Sequence, residues 1–134
     1  MNTVEAKQTT IKDAVEAVER VRSSTVISYV ADQNALVGPE DAGMLVDSIE
    51  MLLPAGQRKL KKIDLFLHSP GGFLDSALKL VRIIQEFTDD FNVIVPLAAK
   101  SAATVICLGA REIVMTSFSE LGACRDNAIF VDAI

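Results

Sequence analysis

Tryptophan is missing from this 134-residue chain, and histidine occurs once. Basic residues are outnumbered: 13 Lys and Arg stand against 18 Asp and Glu, for a net charge of −5. That balance argues against a nucleic-acid surface. The one basic cluster, "GQRKLKK" at 56–62, reads as a solvated connection. Cysteine is scarce too. Cys107 and Cys124 lack metal-ligand spacing, and Cys107 falls in an apolar helical pattern. Both read as reduced thiols of a cytoplasmic protein, with no disulfide, metal or cofactor expected. Long apolar runs are absent: 93–99 and 102–110 are too short and interrupted to span a bilayer. The start, "MNTVEAKQTT", lacks the charged-then-apolar layout of a secretion signal.

What is present is a core. Half the residues are apolar, enough for one domain to bury a substantial interior. Residues 10–22 carry Ile11, Ala14, Val15, Val18 and Val21 at helical spacing and read as a surface helix. "TVISYV", Thr25–Val30, is β-branched and short, hence a strand. Pro39 stands at a helix start, and 42–53 keeps the helical period through Met44, Leu45, Ile49, Leu52 and Leu53. A second strand covers 63–67. A helix follows over Leu74–Phe87, with Leu74, Ala77, Leu78, Val81 and Ile84 as its apolar stripe and Lys79, Arg82 and Glu86 outside. Phe91–Val95 is a third strand, 101–108 a short helix closed by Gly109, and Glu112–Met115 a fourth strand. Strands alternating with helices imply right-handed β-α-β units and a largely parallel sheet.

Two strand-to-helix junctions carry the chemistry, and ligands of such sheets gather at the carboxyl ends of strands. The first, "FLHSPGGFLD", has two adjacent glycines fixed by a proline. A tight turn needs one glycine, so the pair suggests a close approach to the backbone. Asp75 reads as a first-turn residue favourable to the helix dipole. The second junction, "AKSAAT", puts Ser101 at a helix start. A serine hydroxyl beside exposed backbone N–H groups is the equipment of acyl transfer. The same features also fit a plain turn and a serine N-cap. "SPGGFLD" has neither a Gly-x-Gly-x-x-Gly pattern nor a Gly-Lys-Ser/Thr ending, so a phosphate loop is a weaker reading.

"LFLHSPGGFLDSALKLVRII" followed by "VIVPLAAKSAATVICLGAREIVMTSFSELG" resembles the Clp-protease/crotonase-like superfamily. Within it the chain is most similar to the serine dehydrogenase proteinase group, itself similar to the Clp proteolytic subunit and to signal peptide peptidase. The resemblance covers residues 63–122, with a weaker fit from Thr25. It implies a Clp/crotonase-like parallel β-α-β sheet and a serine peptidase acting on peptides or proteins. Ser101 matches the nucleophile, Gly71 and Gly72 the oxyanion loop, and the Ala102 N–H the second oxyanion donor. It also implies a homo-oligomer, in keeping with the 50% apolar content.

One part of the family's equipment is not matched. Family members draw a His or Lys base from beyond the nucleophile, and no His or Lys follows Ser101 here. The tail "ACRDNAIFVDAI" departs from the family's continuation, so residues 1–134 read as a single domain incomplete after about residue 122. Lys100 adjoins Ser101, but sequence neighbours do not share a helix face. His68 follows the second strand on the face of Asp64 and Phe66, and reads as a satisfied structural histidine or a general base. Three functions stay open: a peptidase acting through Ser101, a non-catalytic oligomeric relative that has lost its base, and a crotonase-type acyl-thioester enzyme.

Overall fold

The computed structural model describes residues 9–123. Four strands, β1 (Thr25–Val30), β2 (Ile63–His68), β3 (Phe91–Val95) and β5 (Glu112–Met115), form one parallel sheet in the order β1-β2-β3-β5. Four helices accompany them: α1 (Ile11–Arg22), α2 (Asp41–Leu52), α3 (Leu74–Phe87) and α4 (Ala102–Leu108). The α/β class and the parallel sheet follow the sequence expectation. Ile27, Leu65 and Val93 stand in register across three strands and are all buried. A strand order that advances in one direction stacks its crossover helices on one face. Accordingly, α3 packs against both α2 and α4.

The apolar stripe of α3 differs from the expected one. Ala77, Val81 and Ile84 are buried as expected, but Leu80 completes the stripe. Leu74 and Leu78 lie on its flank and are exposed. Periodicity marks the apolar side of a helix but not how wide its partner is. On α2 the same holds: Ile49 is buried, while Met44 and Leu52 are exposed.

Thr10 caps α1 with a reciprocal box, its hydroxyl accepting the Asp13 N–H while the Asp13 carboxylate takes the Thr10 N–H. The helix buries none of its residues, as a surface helix should. It is fastened instead by Arg22, whose guanidinium grips Asp64 at 2.6 and 3.1 Å and reaches Glu112 at 2.8 Å. Asp64 is fully buried and also accepts from the Ser24 hydroxyl at 2.6 Å.

Two short strands that the sequence pattern does not reveal shape the carboxyl end of the sheet. β4 (Ala98–Lys100) and β6 (Glu120–Gly122) pair in parallel, with Lys100 opposite Gly122. The chain leaving β2 stays extended and joins them: Ser69 donates its N–H to Ala98 and accepts from the Lys100 N–H. Ser69 thus stands opposite Ala99, and two residues on, Gly71 comes beside Ser101. On its other side the glycine loop pairs with Val37, through Val37 N–H to Gly71 and Phe73 N–H to Val37, both at 2.9 Å.

Candidate active site

Each glycine of "SPGG" answers a different neighbour. A Cβ on Gly71 would lie 2.6 Å from both the Lys100 carbonyl oxygen and the Ser101 Cβ, and 3.1 Å from the Ala102 nitrogen. Its φ of +105° is one that side-chain-bearing residues rarely adopt. A Cβ on Gly72 would instead collide with the Val37 backbone. The pair therefore lets one loop lie against the serine on one side and against residue 37 on the other.

The two glycines also differ as donors. The Gly71 N–H is already given to the Ser69 hydroxyl at 3.1 Å, and Ser69 is only 1% exposed. None of the described residues accepts the Gly72 N–H. Ala102 opens α4, so its N–H has no partner within the helix, and none of the described residues supplies one. Gly72 and Ala102 thus carry backbone N–H groups with no acceptor among the described residues, and Ala102 directly follows Ser101.

Ser101 occupies φ +52° and ψ −125°, a strained conformation for a residue with a side chain. Such strain persists only where surrounding bonds over-determine it. Here the Ser101 N–H donates to Gly122 at 2.7 Å and its carbonyl accepts from Thr104 at 2.9 Å, while the preceding Lys100 N–H is held by Ser69. The Ser101 side chain makes no cap, which removes the plain N-cap reading. The residue is exposed, and its hydroxyl has no hydrogen-bond partner among the described residues. A sharp strand-to-helix turn that lifts a serine out in this way is the geometry expected of a nucleophile.

A cavity of about 580 Å³ is bounded by Ser69, Pro70 and Lys100 and by the 31–34 loop; it reaches Lys100 but Ser101 does not line it. Leu97 and Phe118, both exposed, stand at it, with His68 and Glu120. His68 does not fit the reading of a satisfied structural histidine: its Nδ1 is buried without a hydrogen-bond partner among the described residues. The strand ladder satisfies only the backbone of this residue, its carbonyl taking the Ala31 N–H. Lys100 donates to the Glu120 carboxylate at 2.9 Å. An ammonium so engaged presents no lone pair to a hydroxyl. Neither His68 nor Lys100 is hydrogen-bonded to Ser101.

The sequence reading named Ser101, Gly71, Gly72 and Ala102, and the structure puts Gly71 against Ser101 and Ala102, with Gly72 against Val37. It missed Ser69, Thr104 and Gly122, whose parts are set by partners distant in sequence. The faint signals were the Thr three residues after Ser101 and the glycine closing "ELG". Among the described residues no group of His, Cys, Asp and Glu could hold a metal, and no helix is long and apolar enough to cross a membrane. Cys107 is a buried free thiol; Cys124 lies outside the described residues.

The chain is similar to several known proteins. Two uncharacterized proteins of Methanocaldococcus jannaschii are similar in sequence. One is 34% identical over 106 residues, which is 75% of this chain and 37% of the relative. The other is 28% identical over 113 residues, 81% of this chain and 39% of the relative. The chain thus spans under two-fifths of the length of these curated relatives. Among solved structures, a ClpP1 mutant from Listeria monocytogenes superposes with a TM-score of 0.52 at 17% identity, over 70% of this chain and 51% of the other, a likeness of fold. A family model of the ClpP-like SDH-type serine proteinases matches residues 2–130, and the chain belongs to that family.

Proposed function

We propose that this chain carries the nucleophile and the oxyanion hole of a peptide-hydrolysing site. Ser101 Oγ attacks the scissile carbonyl carbon, and the carbonyl oxygen becomes an oxyanion received by the Gly72 and Ala102 N–H groups. The serine proton passes to a base, which gives it to the leaving amine as the C–N bond breaks and the acyl-serine forms; water then hydrolyses the acyl-serine, releasing the acid and restoring the serine hydroxyl. The observation that carries this reading is the strained Ser101 turn, with its hydroxyl unused, lying against Gly71. Gly71 serves by its lack of a side chain rather than by its N–H, which Ser69 holds.

His68 and Lys100 remain the proposed proton acceptors among the described residues. Lys100 is occupied by Glu120, so His68 is the one to test first. General-base assistance is worth about 10²–10⁴-fold. A hydroxyl without a bonded base should therefore react slowly, and residual catalysis from the oxyanion donors alone is known to survive loss of a base. Incubation with a fluorophosphonate probe and peptide mapping should find slow modification at Ser101 and none there in Ser101→Ala. Modification confined to other residues would remove Ser101 from the chemistry. A His68→Gln rate equal to the parent's would remove His68 as the base. The unpartnered hydroxyl also favours the second reading, a non-catalytic relative; complete inertness of Ser101 toward the probe would select it.

A further inference from the structure

We propose that Thr104 is a positioning residue for Ser101, acting through Gly122; this rests on Ser101 being the nucleophile. α4 reads "AATVICL", and Thr104 holds its one hydroxyl. That hydroxyl is half-buried on the inner side of the serine turn and has three oxygen or nitrogen neighbours. Ala99 O lies at 2.8 Å, Gly122 N at 3.0 Å and Gly122 O at 3.2 Å. A threonine hydroxyl has one proton to give. It goes to Ala99, the shortest contact, and the oxygen accepts the Gly122 N–H.

These bonds close a ring around the nucleophile. The Gly122 N–H is held by Thr104 Oγ1, and the Gly122 carbonyl holds the Ser101 N–H at 2.7 Å. The Ser101 carbonyl in turn holds the Thr104 N–H at 2.9 Å. Gly122 sits at φ +119° with open space where a Cβ would stand, so its backbone conformation, not crowding, calls for glycine. That bend turns the end of β6 toward Ser101. The side chain of Thr104 therefore fixes the group that keeps Ser101 in its strained conformation, without touching the serine hydroxyl.

The test compares Thr104→Val, which keeps the shape and removes the hydroxyl, with Thr104→Ser, which restores it. In the full chain, the rate of Ser101 modification by the fluorophosphonate at saturation should fall about ten- to hundredfold in Thr104→Val, the range expected for a nucleophile displaced by a fraction of an ångström to one ångström. The concentration for half-saturation should stay constant, and Thr104→Ser should recover most of the rate. Amide hydrogen exchange supplies a readout independent of activity. Ser101 and Gly122 should lose protection in Thr104→Val and keep it in Thr104→Ser. Gly122→Ala, which strains the same link from its other end, should show the same pattern if Thr104→Val folds poorly. Parental exchange at Ser101 in Thr104→Val would overturn the proposal. Failure of the parent to be modified at Ser101, with the exchange pattern as expected, would instead overturn the nucleophile reading and leave the Thr104 tie standing.

Discussion

Replacing Gly71 by alanine should separate two penalties that are often confounded. The first is conformational: a side-chain-bearing residue at φ +105° is held in a region worth about 1–3 kcal/mol of strain. The second is steric. The added methyl would sit 2.6 Å from the Lys100 carbonyl oxygen, which belongs to the paired β4 backbone, and 2.6 Å from the Cβ of Ser101, the residue that follows it. Overpacking of this kind costs about 1–3 kcal/mol. Together they give about 4 kcal/mol.

Gly56 provides the control, because it has φ +76° and nothing within 4 Å of an added Cβ. Gly56→Ala should cost only the left-handed strain, about 1–2 kcal/mol. For a small domain the urea slope is about 1–3 kcal/mol/M. Taking the middle of that range, the Gly71→Ala midpoint should drop by about 2 M and the Gly56→Ala midpoint by under 1 M. Modification of Ser101 should be abolished in the first and unchanged in the second. Equal midpoint shifts would refute the claim that the glycine loop lies tight against the serine. Gly71→Ala modified at the parental rate would refute the claim that this contact matters to the nucleophile.

Burial pushes the Asp64 carboxyl up, but hydrogen bonds from Arg22 and Ser24 and the charges of Arg22 and Lys62 outweigh it and hold it below its ordinary 3.8. Its stabilisation is therefore present above about pH 4 and lost as pH falls through the lower folded value. Asp64→Asn should cost about 3 kcal/mol at neutral pH, between the values for exposed and buried pairs, since Arg22 keeps some exposure. Urea midpoints taken downward from pH 7 should fall less steeply in acid for Asp64→Asn than for the parent. Burial pushes the Cys107 thiol up to about 11, so a disulfide reagent at pH 8 should leave it untouched in the native protein and react with it in denaturant. Phe73 and Leu74 are exposed beside the glycine loop, with Leu78 a turn further along α3. Light scattering at micromolar concentration should report an oligomer, and a monomer would count against assembly through such apolar residues.

The elements most legible in the sequence are those whose residues suffice to define them. "TVISYV" and "FNVIV" are β-branched or aromatic at every position but Ser28 and Asn92, and they become β1 and β3 with the expected bounds. "AAK" and "ELG" have no such preference, and β4 and β6 exist because each pairs with the other and β4 also pairs with Ser69. No local pattern marks a three-residue strand made by its neighbours. His68 was legible as a residue on the face of Asp64 and Phe66, but the lack of a partner for its Nδ1 depends on what packs over that face. Thr104 was only faintly signalled, for a similar reason. In "SAATVICL" it reads as one more small helical residue, and its function lies in a bond to a glycine eighteen positions away.

The site is made by backbone register more than by side chains. Ser69 stands opposite Ala99, and Lys100 stands opposite Gly122, so β4 is clamped between the glycine loop and β6. Ser101 is the first residue past that clamp, where the chain must turn from strand to helix with a ladder bond on each flank. One flank supplies the Gly122 carbonyl that holds the Ser101 N–H, and the other supplies Gly71, which yields the space the serine needs. Strain of about 1–3 kcal/mol at Ser101 is sustained because relaxing it would break bonds on the Gly122 side. Among the described residues nothing accepts the Ala102 N–H at the start of α4, nor the Gly72 N–H in the loop that pairs with Val37. A single register, carried past the ends of β2 and β4 from Ser69 opposite Ala99 to Gly71 beside Ser101, is thus enough to expose a hydroxyl at this turn.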